Sequence, residues 1–168
     1  VTLTLNTNSH YEIDSLRPAA TIRIIRHDEP VEKTPTSIKW SSVASAAVPR
    51  SEAMVASIDN KMWVFGGYTD GTATASGRVD VYDPASNKWT KISTTMPLPS
   101  THSGCVAVGT DVYLAGGYFG GSGGSQTFAT TKVYKYDTAT NTWSTMAYLP
   151  AARAGRQLAV VGSELHSI

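Results

Sequence analysis

Met62-Trp63-Val64-Phe65-Gly66-Gly67-Tyr68 returns as Val112-Tyr113-Leu114-Ala115-Gly116-Gly117-Tyr118, 50 residues further on. A second phrase follows each copy. Asp80-Val81-Tyr82-Asp83-Pro84 with Asn87-Lys88-Trp89 is answered by Tyr134-Lys135-Tyr136-Asp137-Thr138 with Asn141-Thr142-Trp143. The tyrosine-to-tryptophan spacing is seven residues in both. A repeat of this length is one supersecondary unit that buries its apolar face against the next copy. Its residue types fit that role. A double glycine at a strand end allows positive φ and close backbone approach. Asp83 and Asp137 can accept from backbone N–H groups in a turn. Tyr82 and Tyr136 anchor that turn, and Trp89 and Trp143 are large enough to bridge neighbouring units.

Outward from these phrases, each unit reads as four short strands. In the first, over 50–97, they are 53–58, 62–65, 78–82 and 88–92, with turns at Asp59-Asn60-Lys61 and 83–87. The second unit spans 101–149. Its two tryptophans, Trp89 and Trp143, stand 54 apart against 50 for the glycines, so four residues are inserted, in the glycine-rich run 119–125. A third unit opens at 153 and runs to 168. Trp40 lies ten residues before Arg50, as Trp143 lies ten before Arg153. Residues 38–43 therefore read as the last strand of a unit, donated to close a ring and remove an open edge.

These motifs resemble the kelch family of β-propellers, whose repeats carry a double glycine, a Tyr-Asp pair and a Trp in that order. The resemblance covers about 37–168. It implies an all-β chain: an incomplete kelch-type propeller of two whole four-stranded blades with parts of two others. Residues 1–29 lie outside the repeat. Val1, Leu3 and Leu5 alternate with threonines, and Ala20-Thr21-Ile22-Arg23-Ile24 alternates again before His27-Asp28-Glu29. This resembles the C-terminal end of a Calx-β domain, a β-sandwich remnant here, which implies Asp28 and Glu29 as candidate calcium ligands. Residues 30–37, with Pro30 and Pro35, form the linker. Both ends of the chain read as mid-strand, as expected of a segment of a longer polypeptide.

Composition narrows the function. Net charge is +1 and charged residues are 16% of the chain, so nothing favours nucleic acid. No apolar run approaches 18 residues, so no membrane insertion by a helix is expected. The single cysteine, Cys105, sits in an apolar strand and reads as a small buried hydrophobe. Gly120–Gly124 lacks the Lys-Ser/Thr and the helix of a phosphate loop. The four histidines show no metal-ligand spacing, so no cofactor is expected of the repeat region, and calcium only in the Calx-β-like part.

Alternating strand directions put the start of the first strand and the end of the second on one face of each unit. That face holds Arg50, Tyr68, His102, Tyr118 and Arg153, the candidate ligand-binding residues; no catalytic residue is expected. In kelch adaptors that bind acidic peptides, an arginine opening the first strand and the tyrosine after the double glycine contact the ligand. The resemblance carries those roles to Arg50, Arg153, Tyr68 and Tyr118, while Ser100 takes the arginine's place in the second unit. It implies a non-catalytic binding module of a secreted or cell-surface protein, recognising a protein, peptide or glycan beside the remaining blades of its parent. The alternative is a fragment of a carbohydrate-active kelch enzyme, such as a copper radical oxidase or sialic acid mutarotase, whose site lies in other blades.

Overall fold

The structure is a computed structural model that describes residues 37–69, 74–120 and 128–168. The Calx-β-like strands, Asp28, Glu29 and most of the linker lie outside the described residues. The chain divides into two compact units, Val1–Trp40 and Ser41–Ile168. Of the first, residues 37–40 are described; they form no strand, and Ile38 and Trp40 are exposed. The closing strand expected over 38–43 pairs with no described strand.

The second unit is antiparallel β throughout its described residues, with no helix. Its first sheet runs in the order β1 (Met54–Ile58), β2 (Lys61–Phe65), β3 (Val79–Asp83) and β4 (Lys88–Lys91). Then follow β5 (Ser100–Thr101), β6 (Gly104–Val108), β7 (Asp111–Ala115), β8 (Tyr118–Phe119), β9 (Phe128–Ala129), β10 (Val133–Asp137) and β11 (Thr142–Thr145). Strands β6, β7, β10 and β11 repeat the first sheet, and β5, β8 and β9 form a small separate one. The hairpin β12 (Leu158–Val161) and β13 (Glu164–Ser167) begins a third. In the first sheet the four expected strands agree with those observed to within a residue at each end. The short β5-β8-β9 sheet was not expected.

Two-residue turns join β1 to β2 and β6 to β7. Asp59 and Asn60 both take left-handed φ, 51° and 57°, which matches the twist of a tight hairpin. The β3–β4 and β10–β11 turns explain the Tyr-Asp phrase. Asp83 Oδ1 accepts from the Ala85 amide at 2.9 Å, and Asp137 Oδ1 from those of Ala139 and Thr140 at 2.8 and 3.2 Å. Tyr82 and Tyr136 each donate their hydroxyl to the side-chain oxygen of the asparagine five residues on, at 2.8 Å.

The core lies between the two large sheets. Phe65 and Val79 from the first meet Val112 and Tyr136 from the second, all fully buried. Trp143 stands edge-on to Phe65 across the interface, with ring centroids 5.9 Å apart. It therefore bridges neighbouring units as expected. Trp89 does something else: its indole N–H donates to the Ala44 carbonyl at 2.8 Å, and the Ala44 amide donates to Asn87. The segment after residue 41 thus clasps the outer strand of the first sheet.

The double glycine stitches one unit to the next. Gly67 N–H donates to the Ser100 carbonyl at 3.1 Å, and Gly117 N–H to the Arg153 carbonyl at 2.8 Å. A Cβ on Gly66 would overlap the Ser100 oxygen, and one on Gly116 the Arg153 oxygen. Both glycines also have left-handed φ, 62° and 66°. Only a residue without a side chain meets both demands.

Candidate functional site

The sequence expectation put five side chains on one rim; the structure ties Arg50 and Tyr68 into their own sheet and brings His102 and Tyr118 together. Arg50 is turned into its own sheet. Its side chain is 8% exposed. Nη1 donates to the carbonyls of Val64, Gly66 and Arg78 at 3.2 to 3.4 Å, and Nη2 pairs with Asp80. Arg78 grips the same carboxylate, with Nε 2.6 Å from Oδ2 and Nη2 2.8 Å from Oδ1. Burial and the neighbouring Arg78 both lower the Arg50 pKa. Arg50 is a buried strut between β2 and β3, and its reading as a rim ligand residue is corrected. A long cation at a crowded strand end reaches the nearest carbonyls and carboxylate before it reaches solvent.

Tyr68 is also buried, held in an antiparallel bridge between Ser51 and Ala75. Arg153 is exposed, but its backbone is committed: its carbonyl receives Gly117 N–H and its amide donates to Thr130 at 3.2 Å. In the second unit Ser100 cannot act as Arg50 does. Ser103 Oγ takes up part of the task by donating to the Gly116 carbonyl at 2.9 Å.

His102 and Tyr118 do come together. Their rings meet edge-on at 5.5 Å. His102 Nδ1 lies 2.9 Å from Thr101 Oγ1 and 3.4 Å from Glu52 Oε2. Glu52 and His102 occupy the same position in successive units, two residues after Arg50 and Ser100. Both hold left-handed φ, 57° and 54°. Gly155 holds that position in the third unit, at 67°. These residues open β1, β6 and β12, the strands on the inner edge. Between them lies an open cleft of about 340 Å³ whose wall includes Glu52, His102, Arg156 and Gln157. Sequence reasoning missed Glu52, Arg156 and Gln157. The signal was present in Arg50-Ser51-Glu52, Ser100-Thr101-His102 and Arg153-Ala154-Gly155, three phrases in register.

Cys105 is held where burial pushes its thiol up to about 12, with Sγ 3.5 Å from the Val55 carbonyl, which suits packing and opposes nucleophilic use. Among the described residues no three His, Cys, Asp or Glu side chains cluster as a metal site would need.

Sheets of four antiparallel strands, stitched edge to edge through paired glycines, define a blade-repeat protein. The KLHDC2/KLHL20/DRC7 Kelch-repeats domain model matches residues 31–168, and the chain belongs to the kelch-repeat family. A kelch repeat-containing protein of Arabidopsis thaliana is 31% identical over 77% of this chain and 30% of its own length. The Rab9 effector protein with kelch motifs of Xenopus laevis is 34% identical over 66% of the chain and 30% of its own. N-acetylneuraminate epimerase of Pasteurella multocida is 26% identical over 76% of the chain and 42% of its own. The chain thus spans less than half the length of each of these relatives.

Proposed function

We propose that this chain is a non-catalytic interaction module that recognises a partner through the face where the first strands begin. The β5-β8-β9 sheet carries the reading. It extends the second unit on that face alone and presents Phe128, 59% exposed, with Tyr118 and Phe119 half-buried beneath. Rigid scaffolds that raise loops on one side commonly bind there, and aromatic residues are favoured at contact centres. Kelch membership supports the same reading, since kelch domains generally bind protein partners. The expected secreted or cell-surface setting, the calcium role of Asp28 and Glu29, and ring closure through Trp40 belong to this proposal as its further parts. A photo-crosslinking residue placed at Phe128 in the intact protein should capture the partner. The same residue at Ser86, in the turn at the opposite end, should not. Capture from Ser86 alone would overturn the assignment of the face.

The epimerase relative favours a second reading, a fragment of a carbohydrate-active enzyme. It predicts turnover of a sugar acid by the intact protein, from a site in other blades, whereas the module reading predicts none.

A further inference from the structure

Glu52 and His102 carry an unexplained cost. A side chain in the left-handed region is disfavoured by sterics, and glycine is the residue that relieves it. The third unit shows that glycine serves here, since Gly155 takes the same turn with no side chain. Elsewhere in the described residues left-handed side chains are Asp59, Asn60, Asn87 and Asn141, short residues of hairpin turns. Glu and His are not the types a turn selects, and such conformations cluster at functional sites. Two successive units therefore accept a disfavoured conformation, and the result is a carboxylate and an imidazole side by side on one cleft wall.

The cleft's chemistry restricts what fits. Glu52 offers only acceptors and Arg156 only donors, while His102 and Gln157 can each do both. The formal charges of Glu52 and Arg156 cancel. An acidic ligand meets a like charge at Glu52, and a basic one meets it at Arg156; either mismatch works against binding. A hydroxyl is both donor and acceptor, so neighbouring hydroxyls on an uncharged ring can add a bond to Glu52, His102, Arg156 and Gln157 without a charge mismatch at any of them. A volume of about 340 Å³ lies at the small end of ligand pockets, suited to a unit of one or two rings.

We propose that the Glu52–His102–Arg156 cleft binds a neutral, polyhydroxylated ligand, the terminal unit of an uncharged glycan. The inference rests on the reading that this face is the interaction surface. Of the protein, peptide or glycan ligands expected from sequence it takes the uncharged glycan, and it moves the contacts from Arg50 and Arg153 to Glu52, His102 and Arg156.

The experiment presents the intact protein with gluco-, manno-, galacto- and xylo-configured neutral trisaccharides and with a decaglutamate peptide. Glu52→Gly and His102→Gly place there the residue that the third unit uses, so both variants should match or exceed the parent's thermal midpoint. Glu52→Gln, which preserves size and removes charge, guards against any backbone effect. A neutral trisaccharide should bind, decaglutamate should not, and each of the three variants should weaken the sugar about tenfold or more. Absence of binding by every neutral trisaccharide overturns the inference, as does equal binding by parent and variants. Decaglutamate binding that is lost in His102→Gly would overturn the glycan chemistry and keep the face. Partner capture from Ser86 alone would overturn both.

Discussion

At Gly66 the neighbouring unit's carbonyl stands where a methyl group would go. Gly66→Ala or Gly116→Ala should cost about 2 kcal/mol or more, from left-handed strain together with a backbone overlap. Gly109 separates the two causes. It has φ 58° and nothing within 4 Å of the point a Cβ would occupy, so Gly109→Ala should cost only about 1 kcal/mol. Denaturant midpoints of the three variants check the order. The Arg50–Asp80–Arg78 group gives a second ordering. Asp80→Ala strips the one carboxylate shared by two guanidinium groups, one of them almost fully buried, and should cost about 3–5 kcal/mol. Arg50→Ala leaves the Arg78–Asp80 pair intact and should cost about 1–3 kcal/mol, through three carbonyls that lose a donor. Equal losses for the two would show that Arg50, not the shared carboxylate, holds the group. Sequence placed Arg50 among the rim residues; its ion pair with Asp80 makes it part of the fold.

Strands and turns were the most legible elements, because each is dictated by a few neighbouring residues. The strand expected at 53–58, the turn at Asp59-Asn60-Lys61 and the turn at 83–87 all act within one sheet. The turn acids also give a pH dependence. Backbone hydrogen bonds, from Ala85 to Asp83 and from Ala139 and Thr140 to Asp137, lower both pKa values below the ordinary 3.8. A carboxylate whose folded value is depressed stabilises the fold at pH above its unfolded value, and that share is lost as pH falls through the folded one. The thermal midpoint should therefore decline below about pH 4. It should decline less steeply in the double variant Asp83→Asn and Asp137→Asn, which keeps the turn oxygen and removes the titration. An unchanged slope would place the acid sensitivity elsewhere. The candidate site was less legible. Arg50 and Tyr68 occupy the rim in sequence but turn inward, because side-chain direction at a strand end depends on carbonyls and acids contributed from distant positions such as Val64 and Asp80. The cleft residue Arg156 shares a wall with Glu52 only through packing of β12 beside β6 and β6 beside β1, which no local pattern encodes.

In the second unit of the chain, the interface between its two large sheets sets the standard for burial. There, four strands face four strands, and Phe65, Val112 and Tyr136 are fully buried. The β12–β13 hairpin offers the second sheet only two strands. Beneath it lies an apolar cleft walled by Tyr113, Met146, Leu149, Leu158 and Leu165. Val160, Val161 and Leu165 stay exposed on the hairpin, and Val55 on the opposite flank is 51% exposed. A two-stranded hairpin is marginal in water by itself, and unpaired edges with apolar faces template association. Propellers remove such edges by radial repetition of about four to eight blades. The 168 residues studied alone should therefore self-associate, with scattering mass rising with concentration. Val160→Lys with Leu165→Lys should reduce that association by charging the open hairpin. A monomer at all concentrations whose sheet and aromatic signals melt in one coincident transition would show that two sheets and a hairpin suffice. The stitching glycines would then be a local fastening, and not the means by which a larger ring is held closed.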